Sequence, residues 1–472
     1  MVFSSLIFLF AFLTSLFLLY YALPARFREG RNLILLAFSL FFYYFGGQKL
    51  IWLMLASIAI NYFCGLLAGL PSRRWLRRTG LWLAVGLGLG LLGWFKYAMF
   101  IAGSLNALGC RLPVPEITLP IGISFFTFQG LSYVIDVYRG DAPVQKNPLR
   151  VALYIALFPQ LVAGPIVRYT TVAEEIVSRR ETLEDFSQGG IRFLFGLAKK
   201  MLLANALGEI AGGVFAQSPE TMAVSLAWLG ALAYTGQIYF DFSAYSDMAI
   251  GLGRMFGFHF LENFNYPYIS KSITEFWRRW HISLSSWFRD YLYIPLGGNR
   301  KGKKMQLRNL LIVWLLTGLW HGANWTFVAW GLWFGLLLMG EKFLWGELWE
   351  KLPAALRHLL TLLLVTMSWV LFRSDTMAYA LRFLGTMFGG GASLWDGQTV
   401  YYLLQYTPEL CCAILAALPI KVWLQTQMES RKSMLSDVLL TWGPPLLALV
   451  LFGLSYLKLV TGSFNPFIYF QF

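Results

Sequence analysis

Charged residues are scarce in this chain. Asp, Glu, Lys and Arg make up 13% of its 472 residues, whereas a globular domain carries roughly 25%. Hydrophobic residues make up 57%, and the mean hydropathy is +0.58. Too few polar groups remain to cover a surface in contact with water. The composition therefore excludes an ordinary soluble protein and predicts an all-α, polytopic integral membrane protein, for which the lipid bilayer is the main solvent.

Cysteines and histidines are also few, with four of each. The cysteines form neither a CxxC pair nor a Cys/His metal spacing. We therefore expect structural thiols, and no disulfide framework, metal site or bound cofactor. The sequence also lacks solenoid or transporter-type repeats and low-complexity linkers, so a single domain over residues 1–472 is expected. The cysteines are Cys64, Cys110, Cys411 and Cys412.

Apolar runs long enough to cross a bilayer, which needs about 20 residues, follow one another along the chain. We predict about eleven to thirteen spans. The first run lacks a basic n-region and exceeds the apolar core of a signal peptide, so we interpret it as a retained helix. The predicted spans are 2–22, 32–47, 50–70, 79–103, 117–135, 150–166, 191–215, 222–255, 309–343 (two spans), 355–373, 400–424 and 438–461.

The net charge of +14 indicates a membrane orientation and not nucleic-acid binding. Basic residues of membrane proteins collect in cytoplasmic loops. With the N-terminus outside, the first three inner loops hold ten basic residues and the two intervening outer loops hold two. This bias predicts the orientation of the first five spans, with the N-terminus outside. The inner residues are Arg26, Arg28, Arg31, Arg73, Arg74, Arg77, Arg78, Arg139, Lys146 and Arg150; the outer ones are Lys49 and Arg111.

Polar and aromatic residues alternate over 234–330 at a density too high for a lipid-facing helix. Ionisable groups at membrane depth are costly unless they face a protein interior or a water-filled cavity. We therefore predict that 263–295 forms re-entrant or interfacial helices lining a cavity open to the cytoplasm. The basic loop at 299–304 is expected on the cytoplasmic face. The charged interval 167–192 is interpreted as scaffold, with a surface helix and a capped helix start at 182–185.

His321 is the strongest catalytic candidate among the histidines. It lies in an apolar stretch, and the neighbouring Gly318 and Gly322 allow another helix or a substrate to approach closely. Imidazole is suited to general-base chemistry near neutral pH. Thr317 and Asn324 are expected on the same helical face as His321. The alternative is a core histidine that a single hydrogen bond satisfies.

His281 is the second candidate. Arg278, His281 and Ser285 are spaced to share one helical face, and this set suits an anionic or thioester ligand. The alternative is an amphipathic helix in the headgroup region with tryptophan anchors. Of the other histidines, His259 is expected to be structural and His358 interfacial.

Several blocks of the chain resemble the membrane-bound O-acyltransferase family. They occur in the same order as in members of that family and around the matching histidine, here His321. Together they cover most of 118–340. A further block at 293–302 resembles the alginate O-acetyltransferase branch more than the D-alanyl transferases, and the tail at 465–472 resembles bacterial members. The other blocks are 120–133, 158–168, 240–249, 264–268, 276–291 and 318–326.

The resemblance implies a helical shell around a narrow channel or funnel, with His321 as the catalytic residue and His281 assisting it. It implies an acetyl thioester donor, most simply acetyl-CoA, that enters from the cytoplasm. The acceptor would be an exported polysaccharide such as alginate, served through a periplasmic acetyltransferase partner. The resemblance does not separate a general base from a nucleophile. Candidate donor-binding or tunnel residues are Arg278, Arg289, Asp290 and Asn324.

Three other interpretations fit parts of the sequence. A transporter or channel would also place polar residues at membrane depth, but it predicts an inverted repeat. A structural subunit of an export complex would not depend on His321 for acetylation. A D-alanyl transferase would take its acyl group from a carrier protein and would not depend on acetyl-CoA.

Overall fold

The computed structural model describes residues 2–71, 73–162, 164–431, 433–462, 465 and 468. Within these ranges the regular secondary structure is helical, apart from an isolated bridge between Ala223 and Ser393. The predicted all-α class is therefore confirmed. Most of the family-like tail at 465–472 lies outside the described residues.

The helices follow the predicted apolar runs closely. Short π-helical turns, such as Lys199–Ala204 and Arg289–Tyr293, join several of them. In chain order the helices are α1 Leu13–Ala22, α2 Arg28–Gly47, α3 Ile51–Ala68, α4 Arg74–Leu92, α5 Ala98–Ala107, α6 Ile123–Arg139, α7 Pro148–Ala156, α8 Phe158–Leu161, α9 Tyr169–Val177, α10 Leu183–Ala198, α11 Asn205–Phe215, α12 Val224–Met255, α13 Ile273–Arg279, α14 Ile282–Phe288, α15 Gly302–His321, α16 Trp325–Gly340, α17 Gly346–Lys351, α18 Ala354–Arg373, α19 Met377–Gly385, α20 Gly397–Gln405, α21 Thr407–Ala417, α22 Ile420–Arg431 and α23 Met434–Thr461.

Five helical segments of the described chain are long and apolar enough to cross a membrane, or six if the bent pair α21–α22 counts as one span. This is fewer than the eleven to thirteen predicted. The predicted span 150–166, for example, is divided between α7 and the four-residue α8. The five segments are Arg28–Ala68, Arg74–Ala107, Trp325–Lys351, Ala354–Arg373 and Met434–Thr461.

The chain forms two compact units, each made of non-contiguous segments. Unit 1 comprises Met1–Phe193 and Ser246–Leu261, and unit 2 comprises Leu194–Tyr245 and Glu262–Phe472. The backbone therefore passes between the units three times. A single domain over the whole chain stays a prediction.

A buried ion-pair cluster holds unit 1 together. The Glu181 carboxylate accepts a hydrogen bond of 2.5 Å from the Tyr20 hydroxyl and pairs with Arg28, Arg31 and Arg179. Burial raises the pKa of Glu181, but the hydrogen bonds from Arg28 and Tyr20 and the nearby arginine charges outweigh it and lower the pKa to about 2. Two of the predicted loop cations, Arg28 and Arg31, are thus largely buried in the protein.

The charged interval 167–192 contains the predicted surface helix and capped helix start, and its role as scaffold stays a prediction. Its surface helix is α9, and α10 begins after Thr182, whose hydroxyl accepts a hydrogen bond of 3.0 Å from the Asp185 N–H. Asp185 also pairs with Arg254 at 2.9 Å. His259 lies at the same surface, with Nδ1 2.8 Å from Glu175. This exposed pairing agrees with a structural His259.

Three side chains from the α16–α18 region of unit 2 hold the start of α13. The Glu341 carboxylate accepts from the backbone N–H of Ile273 at 2.8 Å, as an acidic group at a helix N-terminus should. The Trp349 indole donates to the Lys271 carbonyl, and Nδ1 of His358 lies 3.1 Å from the carbonyl of Ser270. His358 is therefore part of the support for α13.

Within unit 2, a buried ion pair joins the π-helical turn Lys199–Ala204 to α12. Nζ of Lys200 is 2.7 Å from Oδ1 of Asp241, and both side chains are at most 4% exposed. Oδ2 of the same carboxylate accepts the backbone N–H of Ile468 at 2.9 Å. The second carboxylate oxygen thus ties Ile468 to α12.

Candidate active site

His321 lies at the C-terminal end of α15. The helix stops there because Gly322 takes an extended conformation. Asn324 then begins α16: its side-chain oxygen accepts from the Thr326 N–H at 3.2 Å, and its Nδ2 donates to the Asp375 carbonyl at 2.8 Å. The prediction that Asn324 shares a helical face with His321 is therefore wrong, because the helix ends before Asn324. Asn324 shapes the α15–α16 turn.

Two glycines allow α15 and α16 to touch along their backbones. A Cβ at Gly318 would overlap the Phe327 carbonyl and lie 3.2 Å from Cα of Gly331. A Cβ at Gly331 would overlap the Trp314 carbonyl. The predicted close approach of a helix at Gly318 is confirmed. The space beside Gly322, in contrast, is filled by the Phe327 ring.

The His321 ring is buried in an aromatic pocket. Its exposure is 5%, so it does not face lipid. Three rings pack edge-on against it, with centroid distances of 4.9 Å to Trp320, 5.0 Å to Trp330 and 5.3 Å to Phe372. Thr317, the other predicted polar neighbour, donates to the Val313 carbonyl within its own helix. The immediate wall of His321 is thus largely apolar.

His281 lies at a break between two seven-residue helices, α13 and α14. Its φ of +44° is in the left-handed region, which costs a non-glycine residue roughly 1–2 kcal/mol. The predicted helical face of Arg278, His281 and Ser285 is therefore wrong, because no continuous helix joins them. Arg278 is exposed whereas His281 is fully buried.

The side chain of Asn263 anchors the His281 ring. Nδ1 of His281 is 3.2 Å from Oδ1 of Asn263, and the opposite wall is the Phe242 ring at 4.6 Å. Burial lowers the pKa of His281 to about 3, so the ring is neutral. Asn263 carries no motif of its own and was missed as a site residue. Its one signal was a polar side chain next to an aromatic block.

The two candidate histidines are neighbours. The centroids of the His281 and His321 rings are 6.4 Å apart, with planes inclined at 63°. Trp320, which precedes His321 in α15, lies 6.0 Å from the His281 ring, so the α13–α14 break packs against the end of α15. The structure therefore brings together the two residues that the sequence singled out separately.

A cavity of about 170 Å³ lies between α13, α14 and α15. Its wall is mainly aromatic and aliphatic, with Ser285, Arg289 and Thr317 as polar members. Helices of the segment 263–295 thus line a cavity, as predicted, whereas their re-entrant or interfacial position and an opening to the cytoplasm stay predictions. Trp277, Leu284, Phe288, Tyr293, Leu310, Val313 and Trp314 complete the lining.

The predicted donor-binding residues occupy different environments. Arg289 lines the cavity, and its guanidinium forms a two-point pair with Asp290 at 2.6 and 3.0 Å. Arg278 and Asp290 are not among the described residues of the cavity wall. The basic loop is surface-exposed over 299–304 and is built on three glycines with left-handed φ, at 297, 298 and 302. Its cations are thus available to an anionic ligand.

The described ranges include all four cysteines and side chains of the types that could hold a metal ion, for which the sequence predicts neither a metal cluster nor disulfides. They contain no group of three or more His, Cys, Asp or Glu side chains that could hold a metal ion. Cys64 is buried and the other three cysteines are exposed, all as free thiols. The described wall of the cavity offers guanidinium and hydroxyl groups, and neither His281 nor His321 belongs to it.

Several known proteins have sequences similar to this chain. Residues 142–346 match the membrane-bound O-acyltransferase family. The probable alginate O-acetylase of Azotobacter vinelandii is 45% identical over the full length of both chains. The peptidoglycan O-acetyltransferase of Helicobacter pylori is 33% identical, over 100% of this chain and 98% of that protein. The teichoic acid D-alanyltransferase of Bacillus subtilis is 29% identical, over 53% of this chain and 67% of that protein.

Proposed function

Because this chain belongs to the membrane-bound O-acyltransferase family, we propose that it moves acetyl groups across the inner membrane for O-acetylation of an exported polysaccharide such as alginate. His321 carries the reaction and His281 assists it. The observation that carries this proposal is the pair of buried imidazole rings 6.4 Å apart. At that separation one hydroxyl oxygen could lie within hydrogen-bond distance of both rings.

The proposed reaction transfers the acetyl group from the thioester sulfur to a hydroxyl oxygen, and His321 moves the proton. The acceptor hydroxyl oxygen attacks the thioester carbonyl carbon, a C–O bond forms, and the C–S bond breaks. The hydroxyl proton passes to a nitrogen of His321 and from there to the departing thiolate. In the alternative route, His321 attacks first and holds the acetyl group before the hydroxyl takes it. Both routes need His321 in a site shielded from bulk water, and its side chain is buried.

The donor proposed is acetyl-CoA, approaching from the cytoplasm. Arg289 at the cavity wall and the exposed basic loop at 299–304 would suit its phosphates. The mainly apolar cavity between α14 and α15 would accept the uncharged arm that carries the thioester. The excess of basic residues in the first inner loops supports this orientation, with a periplasmic N-terminus. On the far side, the acceptor hydroxyl belongs to a periplasmic acetyltransferase partner or to the sugar itself.

The comparisons favour acetyl over D-alanyl transfer. The matches to the two O-acetyl-transferring relatives extend over essentially the whole chain, whereas the match to the D-alanyltransferase covers about half of it. A transporter or a structural export subunit gives no reason for two histidines to share one buried pocket. Acetyl transfer is therefore the better-supported function.

Histidine variants test the proposal in cells. We expect His321→Ala to abolish polymer acetylation and His281→Ala to reduce it strongly, at matched levels of protein in the membrane. His259→Ala is the control, because His259 is exposed and paired with Glu175 away from this pocket. Full acetylation in the His321→Ala strain would overturn the proposal.

A second experiment identifies the donor. Purified protein is incubated with radiolabelled acetyl-CoA, and thioester cleavage is measured for the wild type and His321→Ala. We expect cleavage with the wild type only. Absence of cleavage by the wild type, together with cleavage of a D-alanyl carrier thioester, would replace acetyl transfer by D-alanyl transfer.

A further inference from the structure

We infer that Asn263 is a positioning residue for His281: it holds the hydrogen of the neutral imidazole on Nδ1 and leaves Nε2 as a bare hydrogen-bond acceptor. His281 would then accept a hydrogen bond from the hydroxyl that receives the acyl group, and would not donate one to the thioester carbonyl. The inference rests on the proposed function, since it assigns His281 a part in that reaction.

The orientation of the Asn263 amide is fixed by a backbone group. The N–H of Ser283 lies 3.2 Å from Oδ1 of Asn263, and a backbone N–H can only donate. The Ser283 hydroxyl also donates to this atom, at 2.9 Å. The atom at that position must therefore be the amide oxygen and not the nitrogen. The Ser283 hydroxyl also lies 3.4 Å from Nδ1 of His281, but its single hydrogen is donated to the amide oxygen at the shorter distance. Because an amide oxygen only accepts, its 3.2 Å contact with Nδ1 of His281 places a hydrogen on that nitrogen.

Backbone hydrogen bonds hold Asn263 and His281 next to each other. The Ile282 N–H donates to the Asn263 carbonyl at 3.0 Å, and the Asn265 N–H donates to the Arg279 carbonyl at 2.9 Å. Asn263 is 1% exposed and His281 is fully buried, so bulk water cannot replace either group. The left-handed conformation of His281 belongs to the same arrangement, and strained residues of this kind cluster at functional sites.

A neutral imidazole has a single N–H, so a hydrogen on Nδ1 leaves Nε2 with a lone pair. In the described part of the chain, Nε2 of His281 is buried and has no hydrogen-bond partner. A buried acceptor without a partner is unfavourable, and an incoming hydroxyl would satisfy it. Such a nitrogen can bind a group that donates a hydrogen bond, such as an alcohol or an amine. It cannot form a hydrogen bond with a carbonyl oxygen.

The tautomer can be measured directly, because the chain has only four histidines. Full-length protein labelled with ¹⁵N-histidine is placed in lipid, and nitrogen chemical shifts report which ring nitrogen carries hydrogen. The His281 signals are those lost in the His281→Asn variant. We expect hydrogen on Nδ1 in the wild type at neutral pH. Hydrogen on Nε2 would overturn the inference without recourse to any variant of Asn263.

Three variants separate positioning from mere packing. Asn263→Leu removes the acceptor, so we expect part or all of the His281 hydrogen to move to Nε2 and the turnover rate to fall roughly 10²-fold, with the donor KM unchanged. Asn263→Asp keeps an acceptor at this position, so hydrogen stays on Nδ1. Ser283→Ala keeps the orienting backbone N–H and should leave the tautomer unchanged. An unchanged tautomer in Asn263→Leu would overturn the inference.

Asn263→Asp gives a further readout in the pH profile. A carboxylate beside Nδ1 favours the charged imidazolium and raises the pKa of His281. We therefore expect the variant to lose activity with falling pH at a higher pH than the wild type. Of the described rings that contact His281, those of Phe242, Phe264, Trp320 and His321, only His321 also titrates. A profile identical to that of the wild type would count against the inference.

Failure of the inference is distinguishable from failure of the proposed function. If His321→Ala retains full acetylation, the function falls, whatever tautomer His281 adopts. If the histidine variants lose acetylation as expected but His281 carries its hydrogen on Nε2, the function stands and the role of Asn263 falls.

Discussion

Gly318 and Gly331 face each other where α15 and α16 cross, so closely that a Cβ on Gly318 would lie 3.2 Å from Cα of Gly331. His321 follows Gly318 by three residues, and Trp330, which packs on its ring, directly precedes Gly331. The position of the catalytic candidate thus depends on direct backbone contact between two helices.

Gly318→Ala should therefore destabilise the protein. The added methyl group would overlap the Phe327 carbonyl, and overpacking of this kind costs about 1–3 kcal/mol. Thermal unfolding in detergent measures the effect. The control is Gly453→Ala in α23, where a Cβ meets nothing within 4 Å. Equal unfolding temperatures for the two variants would contradict this close contact.

The buried pair of Lys200 and Asp241 should behave as a coupled unit. Lys200→Met leaves a buried carboxylate without its cation, and breaking such a pair costs about 3–5 kcal/mol. The double variant with Asp241→Leu should recover part of this loss. Recovery should be incomplete, because the Ile468 N–H loses its acceptor. Additive losses in a double-mutant cycle of unfolding free energies would argue against the coupling.

The left-handed backbone at His281 should limit which residues the position accepts. Asn tolerates this conformation, whereas β-branched residues do not. We expect His281→Asn to unfold near the wild-type temperature and His281→Val to be less stable by roughly 1–2 kcal/mol. The difference between these two variants isolates the backbone effect from the loss of the imidazole. Equal stability of the Val and Asn variants would refute this effect of the backbone conformation.

The Glu181 cluster should make the stability of the protein depend on pH. The pKa of Glu181 is lowered to about 2 from an ordinary value of 4.5, so its contribution is fully present above pH 4.5 and is lost as pH falls towards 2. We expect wild-type stability to decline across this range. Glu181→Gln should be less stable at pH 7 and show a flatter decline, as measured by unfolding temperature against pH. Parallel curves for the two proteins would show that Glu181 does not contribute.

Filling the cavity between α14 and α15 tests the route of the donor. Thr317 lines this cavity, so Thr317→Phe should raise the acetyl-CoA KM in the thioester-cleavage assay. Leu316→Phe is the matched control, because the neighbouring side chain is 41% exposed and is not part of the described lining. A KM that changes equally in both variants would place the donor elsewhere.

The length of the apolar runs predicted most of the helices, because a helix that crosses the bilayer needs about 20 apolar residues. The break at His281 was not predictable in this way, since residues 276–291 show a continuous helical pattern without glycine or proline. It depends on backbone hydrogen bonds with Asn263 and Asn265, which are distant in sequence. Asn324 has a local signal that the predicted helical face overlooks. Asn is a favoured residue immediately before a helix, where its side chain accepts a hydrogen bond from the backbone N–H of the second helical residue.

The tryptophans around the candidate site provide an optical probe of its occupancy. Trp320 and Trp330 pack on His321, and Trp277, Trp314 and Trp330 pack on one another within 6.5 Å. Indole emission responds to the polarity of its surroundings and to nearby proton donors. Entry of a ligand beside these rings would therefore alter the intrinsic fluorescence, so binding could be followed in unlabelled protein without turnover.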